Sequence, residues 1–526
     1  MGGALSRRWQ RLEEPVVFAL AALCLLSVAL LPLLALLAQL LGSARLPQLA
    51  ALLGSLRLLD LLARSLGLAL ATTALALLVG VPLGVLLGRT DVRGRHLVFW
   101  LHAFPLFLPP FLVALGWFQL LGRDAPWGSA LGARLLFSPI GVVLVQGLVF
   151  SPVVTSLTVL GLRGVDPSLE DAARVVAPPG RVMRRVLLPL ARPAIAFAAL
   201  VVFALSLSEL GVPSLLRVRT YPAAVFTRLA SARYAPGEAV ALVLPLLAVA
   251  LLLLWLERRV IGRRSFASLG ARGTAPRPLA LGRARELVSL GVWAFVALGL
   301  LPLAALAWEA RRGGLAAIEQ WAGASPWQSL VVGALSASVI TALGLVLGTR
   351  LARRQRWSAS LDALSVLAFV MPAAVLSLGL VATFHHRATH FVYATTAIMV
   401  LGMVARYSIF GVRTLAASVS QSPPELEQAA AVAGAGYLRR MLRVVLPMHA
   451  RAVLAAWLLA MVFTLRDLDT LVSFYPPGRE TLPIRIFTLE ANGPAPALAA
   501  LATLHVALTA GVLALGGALL WSWRRR

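Results

Sequence analysis

The sequence predicts an all-α, polytopic membrane protein with about twelve spanning helices in two parallel six-helix repeats. Three observations carry this. Of the 526 residues, 60% are hydrophobic and 13% charged, whereas soluble domains are about 45–50% apolar and about 25% charged. Twelve apolar runs are long enough to cross a bilayer, whose ~30 Å hydrocarbon core needs roughly 20 helical residues. Matching residues also recur along the chain at a separation near 260. This composition excludes a soluble enzyme and a disordered or fibrous chain. Lipid-exposed backbone must satisfy its own hydrogen bonds, which leaves helices or a closed barrel, and no alternating barrel pattern is present.

The first six runs lie near 16–41, 64–88, 97–121, 138–162, 194–216 and 238–256, and the second six near 287–307, 328–349, 361–384, 391–415, 452–474 and 497–522. The first run follows Arg7, Arg8 and Arg11. It is longer than the apolar core of about 7–15 residues in a secretory signal, so it reads as an uncleaved membrane helix. The single cysteine, Cys24, lies inside it, which excludes an internal disulfide and a cysteine-built metal site. All 48 basic residues are arginine, and the formal charge is +27. With the N-terminus inside, the inner segments hold 32 arginines and the outer loops about 14. Positive residues accumulate on the cytoplasmic side, so both termini are expected in the cytoplasm of a bacterial plasma (inner) membrane. The arginines are spread over many short loops without one basic face, which argues against nucleic acid as a partner.

A polar, Arg-rich segment at 258–286 reads as a cytoplasmic linker between a first repeat, 1–257, and a second, 287–526. Ser65, Gly80, Gly84 and Arg89 correspond to Ser329, Gly344, Gly348 and Arg353, all 264 residues apart. Pro109 and Gly116 correspond to Pro372 and Gly379, 263 apart, and Pro222 to Pro483, 261 apart. Six spans per half give both copies one orientation, with a pseudo-twofold axis along the membrane normal that suits a central pathway.

The longest inner loop of each half, 163–193 and 417–451, repeats a second pattern. Asp166-Pro167 and Ser422-Pro423 read as helix starts, the latter with Glu425 completing a capping box. An Ala-rich helix, a turn and an Arg-rich helix ending at Pro189 or Pro447 follow. Acids at the front and arginines behind make a surface helix–turn–helix suited to docking on another protein.

Here the sequence resembles the membrane subunits of binding-protein-dependent ABC importers. Their signature is a Glu-Ala-Ala triplet, then a glycine, then an apolar residue ahead of Leu-Pro. In the second loop Gln428-Ala429-Ala430, Gly434, Val444 and Leu446-Pro447 fit it, with Gln in place of Glu. In the first, Asp171-Ala172-Ala173 fits, Ala177 replaces the glycine, and the stretch to Leu188-Pro189 is one residue shorter. Glu170 or Glu427, just ahead of each triplet, can supply the carboxylate. The fused arrangement most resembles iron(III) and thiamine import permeases, over nearly the whole chain. The resemblance implies a type I importer permease fold. It also implies that each loop is a coupling helix seated in one of two copies of a cytoplasmic ATP-binding subunit. One extracytoplasmic solute-binding protein would deliver the solute, with ferric iron the first expectation and thiamine the second.

A nucleotide-binding P-loop requires a lysine that reaches the phosphates, and this chain has none. ATP is therefore expected on another chain, with no catalytic site, cofactor or metal here. Intramembrane charges point to pathways or pairs. Glu209 and Asp469, 260 apart, read as repeat-equivalent acids, either lining the pathway or pairing with Arg217 or Arg466 at the outer interface. His385, His386 and His390 read as a polar interfacial loop rather than a metal site, and His449 as structural. Pro109-Pro110 and Pro372 are expected to kink their helices. The rival reading is a twelve-span secondary transporter of major-facilitator type, which Asp91-Val92-Arg93-Gly94-Arg95 loosely suggests but the paired loops do not. A receptor or scaffold explains neither the loops nor the repeat.

Overall fold

A computed structural model describes residues 2–42, 55–123, 125, 128–229, 236–261 and 278–522. Most of the linker expected at 258–286, namely 262–277, lies outside the described residues. In the first half the chain forms α1 (Leu12–Gln39), α2 (Leu56–Arg89), a bent pair α3 (Arg95–Phe107) and α4 (Pro110–Leu121), α5 (Pro139–Arg163), a short α6 (Pro167–Val176), α7 (Pro179–Ser208) and α8 (Pro236–Ile261). The second half forms α9 (Gly282–Gly314), α10 (Ser325–Ala352), a bent pair α11 (Ser358–Val370) and α12 (Ala373–Phe384), α13 (Thr396–Val419), a short α14 (Glu425–Val432), a bent pair α15 (Tyr437–Met448) and α16 (Ala450–Leu465), and α17 (Ala495–Ser522). Eight of these helices can cross a membrane alone, and counting each bent pair as one span gives eleven. The 26-residue α8 lies where the sixth span is expected and is not among these eleven. Among the described residues the only bridge between extended segments joins Thr90 to Leu279.

The repeat seen in sequence is a repeat of contacts. A Cβ on Gly80 would sit 2.5 Å from Val154 Cβ, and one on Gly344 would sit 2.4 Å from the Gly411 carbonyl carbon. These glycines let α2 pack on α5, and α10 on α13, at backbone distance, as small residues do between membrane helices. Two further matched sites are joined to each other in each half. The Tyr221 N–H donates to Ser65 Oγ, and the Leu482 N–H to Ser329 Oγ, both at 2.7 Å.

The first helix of each half packs on the opposite half. A Cβ on Gly116 of α4 would lie 2.3 Å from the Pro302 carbonyl oxygen of α9. On Gly379 of α12 it would lie 2.8 Å from Pro32 Cβ of α1. The two halves are thus interlocked by a reciprocal exchange.

Several expected spans are reshaped. The runs at 97–121 and 361–384 break by 100° and 110° rather than kinking. Pro109 and Pro372 stand just ahead of α4 and α12, where a residue with no N–H cannot continue a helix. The runs at 194–216 and 452–474 stop early, at Ser208 and Leu465. The reason is local: Glu209 accepts from the Val212 N–H at 3.3 Å and Asp467 from the Thr470 N–H at 3.0 Å. Each carboxylate so caps the next turn and ends the helix before it. In the first loop the Arg-rich helix does not end at Pro189. It runs through a π-helical turn at Met183–Leu187 into Leu188–Ser208. The widened turn places Pro189 beyond the repeat of ordinary i→i−4 bonds. A matching π-turn, Met441–Val445, precedes the 86° bend between α15 and α16.

Candidate coupling loops and central seam

The short helices α6 and α14 begin differently. Asp166 caps α6, accepting from the Ser168 N–H at 2.9 Å, and this bond holds its carboxyl below the usual carboxylate range. The expected Ser422–Glu425 capping box is not formed. The Ser422 N–H is already bonded to the Val419 carbonyl at 3.1 Å, and α14 starts only at Glu425. Ser422 Oγ instead donates to the Val419 carbonyl at 2.9 Å and meets His449 Nε2 at 3.2 Å.

Both helices are held by the same device. Glu170 is buried and paired with Arg89 and Arg174. Glu427 is paired with Arg353, which also donates to the Ser422 carbonyl at 3.0 Å. Arg89 and Arg353 end α2 and follow α10, so each short helix is clamped to the second spanning helix of its own half. Burying a carboxylate and a guanidinium is tolerable only when they pair and hydrogen-bond. The two arginines were legible as repeat partners, and their role follows from the two glutamates 257 residues apart.

The clamp turns the rest of the motif outward. Asp171, Ala172, Gln428 and Ala429 are exposed, and Ala173 and Ala430 are half-buried. Val175 is 86% and Val432 91% exposed. Leu169 and Leu426 are exposed at the front of each helix. An exposed apolar patch on a repeated polar loop marks an interaction surface. The turns differ as the sequence departs: Gly434 takes φ +83°, a left-handed conformation that favours glycine. Ala177 is extended at φ −148° and ψ 146°, ahead of Pro178-Pro179.

Between the halves lies a buried charged seam. Arg466 donates to the Leu106 carbonyl in the other half and lies over Phe150 and Phe463. Arg406 donates to the Met371 carbonyl at 3.0 Å, at the break between α11 and α12. Tyr407 donates to Asp467 at 2.7 Å, and Asp469 accepts from the Leu210 N–H across the seam at 3.0 Å. These groups, with Glu209, surround a cavity of about 20 Å³, room for about one water molecule. The structure corrects the sequence pairing of Glu209 with Asp469. Glu209 N donates to Ser206 O and Asp467 N to Thr464 O, and each carboxylate then caps three residues on. Glu209 corresponds to Asp467, 258 away, and Asp469 is an extra acid of the second half. Arg406, Tyr407 and Asp467 had no role in the sequence reading; a buried arginine within an apolar run was the available signal. His385 packs against Tyr393 with ring centres 4.6 Å apart, and His386 Nε2 bonds the Ala382 carbonyl at 2.8 Å.

The fold is an apolar helical bundle that presents two repeated loops with matching exposed residues. Residues 80–266 match the family of binding-protein-dependent transport system inner membrane components. The chain is 36% identical over 187 residues to a probable molybdenum ABC transporter permease of Haloferax volcanii, covering 35% of this chain and 69% of the relative. It is 33% identical over 177 residues to the molybdenum transport system permease of Escherichia coli K12, covering 30% of this chain and 76% of the relative. A putative ferric transport system permease of Haemophilus influenzae is 23% identical over 401 residues, 70% of this chain and 62% of the relative. The chain belongs to the inner membrane component family of binding-protein-dependent transport systems. It is a multi-pass inner-membrane permease of an ABC importer, a transport component rather than an enzyme, and its family works with an ATPase and a solute-binding protein.

Proposed function

We propose that this chain forms the translocation pathway for ferric iron, with both termini in the cytoplasm. In this reading its six-span halves, 1–257 and 287–526, flank the linker at 258–286. Its loops 163–193 and 417–451 seat α6 and α14 in two copies of a cytoplasmic ATP-binding subunit, and one extracytoplasmic binding protein supplies the solute. The observation that carries this is the pair of matching clamps, Arg89–Glu170 and Arg353–Glu427, each presenting an exposed valine on its helix. Closure of the ATPase pair would push on both halves together. Glu209 and Asp469 meet in the seam that such rocking would open.

Ferric iron is favoured over an oxyanion by extent. The ferric relative aligns over 401 residues, more than either half contains, whereas the molybdenum relatives align over 187 and 177. Thiamine, the second expectation from sequence, has no such support among these relatives. The test is uptake into proteoliposomes containing this chain with its ATPase and binding protein. ATP-dependent ferric uptake is expected. Molybdate uptake in its place would reassign the cargo. Uptake driven by a proton gradient without any ATPase would overturn the reading in favour of a secondary transporter. Glu209→Gln with Asp469→Asn is expected to slow uptake, and unchanged uptake would remove both from the pathway.

A further inference from the structure

The leading end of each half, the first turns of α1 and the residues around the start of α9, reaches the coupling module of the other half. In the first turn of α1, Glu13 accepts from the Leu438 N–H at 3.3 Å, at the start of α15. Glu14 pairs with Arg350 at 3.2 Å and Arg440 at 3.6 Å. Arg350 lies over the Phe18 ring, 3.9 Å from its centre. Val17 packs against Tyr437, Met441 and Val445, the apolar side of the second module. Arg350 stands one turn before Arg353, which clamps Glu427.

The other half repeats the arrangement with different chemistry. Ahead of α9, the Leu279 N–H donates to the carbonyl of Arg89, the residue that clamps Glu170, at 2.7 Å. Leu279 packs against Val182, Met183 and Leu187 of the first module. The Leu281 N–H donates to Asp91 at 2.9 Å, and Arg93 pairs with Glu286 at 2.8 Å. Each contact joins one half's leading segment to the other half's coupling module or to the end of the second helix that holds it. Both sides mix main-chain bonds with an ion pair, through different residues, so the common feature is the position, not the residue type.

We infer that Glu13 and Glu14 are positioning residues for coupling: they brace the second coupling module to the first half, as Leu279–Leu281 brace the first module to the second half. A push on either short helix then moves elements of both halves, because each module is tied to its own second helix and to the opposite half's first. This rests on the proposed docking of α6 and α14 on the ATPase.

The experiment uses the complete transporter in proteoliposomes and reads uptake and ATP hydrolysis in the same vesicles. The variant Glu13→Ala with Glu14→Gln is expected to co-purify with the ATPase as the wild type does. Its solute moved per ATP should fall about fivefold, within the range by which contacts modulate coupling between distant sites. Glu14→Asp alone should restore most of the ratio, because the charge remains. An unchanged ratio in the double variant overturns the inference. If wild-type uptake itself needs no ATPase, the docking reading fails instead, which separates the two. Should the double variant not fold, a cross-link decides. In a Cys24→Ser background, Glu13→Cys is paired with Gly436→Cys, whose φ of −62° accepts a side chain without strain and whose Cβ would face Glu13. A brace that stays closed throughout the cycle predicts full uptake after oxidation. Loss of uptake on oxidation, reversed by reduction, overturns it.

Discussion

Arg89 shows how much one buried side chain decides. Its guanidinium side chain is 1% exposed and its partner Glu170 7%, so removing Glu170 leaves Arg89 charged and unpaired away from water, and removing Arg89 leaves Glu170 with Arg174 alone. Loss of one partner from a buried pair costs about 3–5 kcal/mol. Arg353 and Glu427, at 17% and 16%, keep partial access to solvent and should lose less. Arg89→Ala and Glu170→Ala are therefore expected to lower the melting temperature in detergent clearly more than Arg353→Ala and Glu427→Ala. Equal shifts in the two halves would contradict the burial argument. At this scale the sequence offered the residues but not the contact. Arg89 and Glu170 are 81 positions apart, and only the packing of α6 beneath α2 makes them neighbours.

In the proposed docking the short helices carry the interaction, because their other face is already used. Once Glu170 and Glu427 point inward, the 3.6-residue turn places Val175 and Val432 outward. Val175→Asp with Val432→Asp is expected to detach the ATPase on co-purification while leaving the melting temperature unchanged, since both side chains are exposed and touch little in the isolated chain. A lowered melting temperature would mean that they pack inside the protein. These elements were read well from sequence, because triplet, turn and Leu-Pro are local signals repeated at one offset. The continuation of α7 through Pro189 was not legible. It depends on a π-turn, which leaves no composition signature.

On the scale of the whole molecule, the exchange of first helices is built on two glycines. Gly116 faces the Pro302 backbone, and Gly379 faces Pro32. A side chain at either site must push a helix of the other half away, and overpacking of this kind costs typically about 1–3 kcal/mol. Gly116→Val and Gly379→Val are expected to lower the melting temperature, Gly116 more, because its hypothetical Cβ lies closer to the opposing backbone. Thermal melts in detergent check this, and a neutral Gly116→Val would mean that α9 is free to shift.

Much was determined by the sequence alone: the membrane class from its apolar fraction, the repeat from glycines and prolines at a constant offset, and the two short loop helices from local motif chemistry. These are properties of nearby residues or of composition, and hydrophobic length and turn chemistry encode them directly. Only the tertiary structure decided that Glu209 corresponds to Asp467, that Pro109 and Pro372 mark near-right-angle breaks, and that α1 and α9 cross to opposite halves. Those outcomes depend on which apolar surfaces meet. In a chain where nearly every helix is apolar on all sides, hydropathy cannot choose partners; the choice falls to close backbone approach at a few glycines and to the pairing of a few buried charges.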